Sequence, residues 1–74
     1  MDKILLTNGL KHIESENQNG FFVKTYRKCT RNKKYIVRIF PNKNIFRVLL
    51  KDELIYSGDS NDLESALIEL KLTK

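Results

Sequence analysis

KYIVRIFPNKNIFRVLLK, residues 34–51, reads as two β-strands joined by a turn. Tyr35, Val37 and Ile39 alternate with Lys34, Ile36, Arg38 and Phe40; beyond the break, Phe46, Val48 and Leu50 alternate with Ile45, Arg47, Leu49 and Lys51. A period of two places the members of each set on one side of an extended chain. β-Branched and aromatic residues dominate both runs, as a pleated, half-buried surface prefers. Pro41-Asn42-Lys43-Asn44 supplies the backbone angles of the turn between them.

Working outward, a further strand is expected from Phe21 to Cys29, turning through Thr30–Lys33 into the strand that starts at Lys34. After residue 51, a tight turn near Asp52-Glu53 leads to a strand over Leu54–Ser57, and Gly58 lets the chain turn into a helix. Leu63, Ala66, Leu67 and Leu70 fall at i, i+3, i+4 and i+7 and form one apolar stripe. Asn61 with Glu64 can form a capping box, with Ser60 or Asp59 as alternative caps. Asp59, Asp62 and Glu64 suit the positive end of the helix dipole, and Lys71 suits the negative end.

Residues 1–14 carry two readings. Ile4–Thr7 and Leu10–Ile13 could form short strands around the Asn8-Gly9 turn. Alternatively, Leu6, Leu10 and Ile13 could line a helix over Asn8–Glu16. The hairpin is the preferred expectation, with Glu14–Gly20 as a polar loop. The fold expected is therefore α+β: a small antiparallel β-meander of three to four strands, with or without an N-terminal hairpin, and a C-terminal amphipathic helix on one face.

The chain has 74 residues, the size of one small domain with a thin stability margin, so a monomer and a small homo-oligomer are both open. A 41% hydrophobic content is enough for a core. One cysteine excludes an internal disulfide. No apolar run is long enough to span a bilayer, and Ile4–Leu6 is too short for a signal-peptide core, so a cytoplasmic location without membrane contact is expected. Abundant Lys, Asn and Ile with a single Ala suggest an AT-rich genome of the bacterial, phage or mobile-element kind.

Charge is segregated along the chain. Between Gln18 and Lys51 lie ten basic residues and no acid, while the remainder carries four lysines against nine acids. Such a block attracts polyanions, either nucleic acid (DNA or RNA) or an acidic protein surface. Strand parity would place Lys24, Lys28, Arg38, Arg47 and Lys51 on one sheet face, interleaved with Phe22, Tyr26 and Phe40. If the parity is shifted by one, Phe22, Tyr26 and Phe40 become core. The residues expected to contact a polyanion are Lys24, Tyr26, Lys28, Arg31, Lys33, Lys34, Arg38, Phe40, Lys43 and Arg47. The cations would neutralise phosphates, and Tyr26 and Phe40 would stack on bases. The competing structural reading is a solvated basic face whose edge lysines block aggregation.

His12, the only histidine, has no partner at triad or metal-ligand spacing, and a structural or surface role is expected. Cys29 sits among basic residues that could activate its thiol, but a small core residue is the better expectation. The three glycines are isolated, so they form no phosphate-binding loop. No catalytic residues, metal site or cofactor are expected.

The order of strands then helix, with Tyr35–Phe40, Ile45–Leu50 and Ile55-Tyr56-Ser57-Gly58 leading into Leu63-Glu64-Ser65-Ala66-Leu67, resembles the three-stranded DNA-binding domains of AP2 proteins and the arm-site domains of tyrosine integrases. The likeness covers about the last half of the chain and implies a sheet that lies in a major groove. The tryptophan of many AP2 domains is absent. The same order is similar to the double-stranded-RNA-binding domain, but Asp59, Asp62 and Glu64 stand where that family is lysine-rich. Both likenesses concern fold alone and transfer no binding residues. The function expected is a non-enzymatic nucleic-acid-binding module, such as a small phage or mobile-element regulator. The alternative is a phage-type inhibitor or adaptor that docks a basic and aromatic face on an acidic host protein.

Overall fold

The computed structural model describes residues 1–74, the side chain of Gln18 aside. Five strands, β1 (Lys11–Gln18), β2 (Phe21–Thr30), β3 (Lys33–Phe40), β4 (Ile45–Leu50) and β5 (Glu53–Asp59), form one antiparallel sheet in chain order. A short helix α1 (Asp2–Thr7) precedes them; a 3₁₀ turn (Ser60–Asp62) and helix α2 (Leu63–Glu69) follow.

The α+β class, the central meander and the C-terminal helix agree with the sequence reading. The strand count does not: there are five rather than three to four. The difference lies in β1, which occupies the segment expected to be part hairpin and part polar loop. Lys-His-Ile-Glu-Ser-Glu-Asn-Gln has no apolar alternation because this edge strand is exposed along its described side chains. Its order comes from backbone pairing with β2, from Lys11↔Arg27 to Gln18↔Phe21.

The N-terminal hairpin and the helix over residues 8–16 are both overturned. The helix lies earlier, at residues 2–7, and Asn8-Gly9 ends it: Asn8 Nδ2 donates to the Ile4 carbonyl at 2.9 Å, and Gly9 takes φ 84°. The hairpin turn belongs instead to Asn19-Gly20, with φ 49° and 83°, the positive angles of a two-residue loop. Two Asn-Gly pairs thus carry two different jobs, helix stop and hairpin turn.

The main core cluster fills one sheet face, while Val23 and Thr25 are buried on the other. Tyr35, Val37 and Ile39 of β3 pack with Phe46 and Val48 of β4, and with Leu63, Ala66 and Leu67 of α2. Leu5, Leu10, Tyr26 and Leu72 complete the cluster. Tyr56 stacks on Phe46 with ring centroids 5.9 Å apart. Gly58 sits opposite Phe46, where an added Cβ would come within 3.1 Å of Asp62 Oδ2 and 3.4 Å of the Phe46 ring. The expected capping box is absent: Asp59 accepts from the Asn61 N–H at 2.9 Å and caps the 3₁₀ turn, and α2 begins without a side-chain cap. Cys29, expected in the core, is exposed.

Candidate polyanion-binding face

Register decides where the cations stand. The β2–β3 loop contains two residues, so Thr30 pairs with Lys33, Lys28 with Tyr35, Tyr26 with Val37 and Lys24 with Ile39. Directly opposed residues of an antiparallel pair share a face. Lys24, Tyr26 and Lys28 therefore lie on the helix-covered face, not with Arg38 and Arg47. The parity is shifted in the first strand alone: Tyr26 becomes core, Phe22 stays exposed, and Phe40 keeps the face of Arg38 and Arg47.

That placement removes three of the expected contacts from a common wall. Tyr26 is 0% exposed and cannot stack on a base. Its ring lies 5.3 Å from that of exposed His12. The Lys28 ammonium donates to the carbonyls of Asn8 and Leu72, both at 2.7 Å, and so ties the chain after α1 and the chain after α2 to the sheet. Lys24 forms an ion pair with Asp2 at 3.7 Å. A lysine can occupy the core side of a strand when its stem packs and its head finds oxygen acceptors.

The opposite, helix-free face holds the other half. Arg38 is directly opposed to Arg47, in a row that runs Glu14–Thr25–Arg38–Arg47–Ser57 across the sheet. The next row contains Arg27, Ile36 and Leu49. Lys34 lies one row further towards the β2–β3 turn, opposite Cys29. Phe40 and Ile45 form the row on the other side. Arg47 stands over the Phe40 ring at 5.2 Å. Among the described residues, Arg27, Lys34, Arg38 and Arg47 have no carboxylate within ion-pair distance. Two arginines directly opposite each other are unfavourable to the sheet by about 0.2–1 kcal/mol.

The strip is narrow. Glu14 and Glu16 share this face on β1, and Asp59 stands opposite Ile45 on β5, so acids flank the basic central strands on both sides. The β2–β3 and β4–β5 turns extend the cations at one end: Asn32, Lys34, Ile36, Lys51 and Asp52 line a shallow surface depression there. Arg31 and Lys33 sit in that β2–β3 turn, with Lys33 on the helix side of its strand. Lys43 is at the opposite end of the sheet, in the β3–β4 turn, over the Phe21 ring at 4.1 Å.

Of the expected contacts, the fold gathers Lys34, Arg38, Phe40 and Arg47 on one face, sets Arg31, Lys33 and Lys43 at the two ends, and removes Lys24, Tyr26 and Lys28. Arg27 was missed. The signal for it was the alternation of Val23, Thr25 and Arg27 against Tyr26, which becomes readable once the register is fixed. Among the described residues, no group of three or more His, Cys, Asp or Glu side chains could hold a metal ion, and no helix is long and apolar enough to cross a membrane. The chain matches no family model, no curated protein and no solved structure.

Proposed function

We propose that this protein is a non-enzymatic nucleic-acid-binding module that uses the helix-free sheet face. The observation that carries the reading is the opposed pair Arg38 and Arg47, with Arg27 and Lys34 nearby and, among the described residues, no carboxylate within ion-pair distance of any of them. The sheet bears a repulsion that an anionic ligand would turn into attraction. Phosphates would bind to these cations and release counterions. Ile36, Leu49, Phe40 and Ile45, all partly exposed, would receive the apolar faces of bases or sugars between the phosphate contacts.

The flanking acids favour a ligand that follows the strands. A three-strand width of about 10 Å suits one nucleic-acid strand, or a sheet edge entering a major groove about 12 Å wide. The test is a titration of the full chain with single- and double-stranded oligonucleotides over a range of salt. The expected log–log slope is roughly −0.7 to −0.9 for each phosphate neutralised. No binding at low salt to either form would overturn the reading.

A second reading has its own support. Arginines beside Phe40, with the apolar Ile45, Leu49 and exposed Leu54 around them, combine the charged, aromatic and apolar groups that a protein interface uses. An acidic surface on a host protein would then be the partner, as for a phage-type inhibitor. A partner captured from lysate that survives nuclease treatment supports this alternative; a partner lost with the nucleic acid supports the first.

A further inference from the structure

A second basic site lies away from the sheet face. Where the β2–β3 turn meets the turn after α2, on the helix side, a cleft of about 530 Å³ is lined by Arg31, Lys33 and Lys71, together with Thr30, Tyr35 and Leu70. No carboxylate lines it. Its size falls within the usual range for small-ligand pockets.

The backbone at its rim is costly. Arg31 has φ 52° and Lys71 has φ 58°. Both are left-handed conformations that favour glycine. Arg31 is the first residue of the two-residue hairpin loop between Thr30 and Lys33. Lys71 occupies the position after the helix C-cap, where the Leu72 N–H bonds the Leu67 carbonyl at 2.8 Å and the Lys71 N–H bonds that of Ile68 at 3.1 Å. Glycine is the common residue at such a helix end. At both positions the chain carries a long cation in its place, and both cations line the same cleft.

We infer that this cleft binds a phosphomonoester. A terminal phosphate carries about −1.5 to −2 charges at pH 7 and three acceptor oxygens, matching one guanidinium and two ammonium groups. A backbone phosphodiester, with a single charge, matches the site less well. Tyr35 and Leu70 give an apolar wall for the group that carries the phosphate. The same chemistry can come from a free nucleotide or from the phosphorylated end of an oligonucleotide. The inference stands apart from the sheet-face reading, because Lys33 and Tyr35 lie on the opposite side of β3 from Lys34 and Arg38.

The experiment titrates the full chain with inorganic phosphate, adenosine 5′-monophosphate, and one oligonucleotide in 5′-phosphorylated and 5′-hydroxyl forms, following amide shifts by NMR. Binding of the mononucleotide identifies a free-nucleotide site. Tighter binding of the phosphorylated oligonucleotide than of its hydroxyl twin identifies an end-recognition site. In either case, Arg31→Gly and Lys71→Gly are each expected to weaken phosphate binding about tenfold. Both should raise the melting temperature, because glycine accepts those backbone angles, so weaker binding could not be blamed on unfolding. Binding of the 5′-hydroxyl oligonucleotide should be unchanged in Lys71→Gly, whose cation lies on the helix side away from the sheet face. Equal binding of the two oligonucleotides with no response to phosphate or mononucleotide would overturn the cleft while leaving the sheet face standing. Phosphate binding that survives both glycine substitutions would overturn it too.

Discussion

Replacing Arg38 by glutamine should make this protein more stable and a poorer binder at once. Arg38 lies directly across the β3–β4 ladder from Arg47 on an exposed face, without a carboxylate partner. Opposed Cα atoms in an antiparallel pair are about 5 Å apart, and the flexible side chains can hold their guanidinium groups roughly 6 Å apart. At that distance in water, two unit charges repel by about 0.7 kcal/mol. Splaying of the side chains and screening by salt lower this towards ~0.4 kcal/mol. Removing one charge should therefore raise the melting temperature by about 2–3 °C, given the 4–8 °C per kcal/mol typical of this size. Glutamine keeps the first methylenes of the stem and a polar, uncharged end, so the substitution chiefly removes the charge. Oligonucleotide affinity should fall about tenfold at low salt, and the salt slope should shrink by about 0.7–0.9, the loss of one phosphate contact. Arg47→Gln provides the internal control. It removes the same repulsion but also the contact over the Phe40 ring at 5.2 Å, worth about 0.5–1 kcal/mol at an exposed site. Its binding loss should match that of Arg38→Gln while its melting temperature stays level or falls slightly. Thermal unfolding by circular dichroism and fluorescence anisotropy at several salt concentrations measure both quantities. A melting temperature that drops in Arg38→Gln, or an unchanged salt slope, would show that Arg38 neither repels Arg47 nor meets a phosphate.

Three further outcomes test the fold that carries this face. Lys28→Met strands two carbonyls that the ammonium now holds at 2.7 Å, and should cost about 2–4 kcal/mol in urea unfolding while leaving the salt slope of binding unchanged; a changed slope with intact stability would return Lys28 to the ligand surface. Tyr26→Phe removes a buried hydroxyl that has no hydrogen-bond partner among the described residues, and should be neutral or stabilising by up to ~1 kcal/mol; a clear loss of stability would mean that the hydroxyl is satisfied in solution. Leu72→Ala empties a fully buried site beyond α2 and should cost about 2–5 kcal/mol, against a total of roughly 4–11 kcal/mol for a domain of this length, so a strongly lowered urea midpoint is expected and a native-like midpoint would contradict the burial.

Local pattern was enough for the elements that pack on their own neighbours. The alternation in Tyr35–Phe40 and Ile45–Leu50, the Pro41–Asn44 turn and the stripe Leu63, Ala66, Leu67 are written in periods that a single segment displays. β1 could not be read in this way. Its described side chains are exposed, so no apolar period marks it, and its strand state is imposed by the free edge of β2. Asn8-Gly9 and Asn19-Gly20 look alike in sequence, and only the surrounding contacts assign one to a helix end and the other to a hairpin.

Residue pattern is enough to say that a dense, acid-free run of cations folds into strands, and that a helix covers one side of them. Tertiary structure alone decided which cations stay available. Side chains alternate with period two, so the two-residue Thr30–Lys33 loop sets the parity of β2 against β3 for every residue at once. It turns Lys24, Tyr26 and Lys28 towards the helices and brings Arg27 round to join Arg38 and Arg47. That outcome is tolerable because Lys28 finds the carbonyls of Asn8 and Leu72, acceptors from segments 20 and 44 residues away that no local reading could supply.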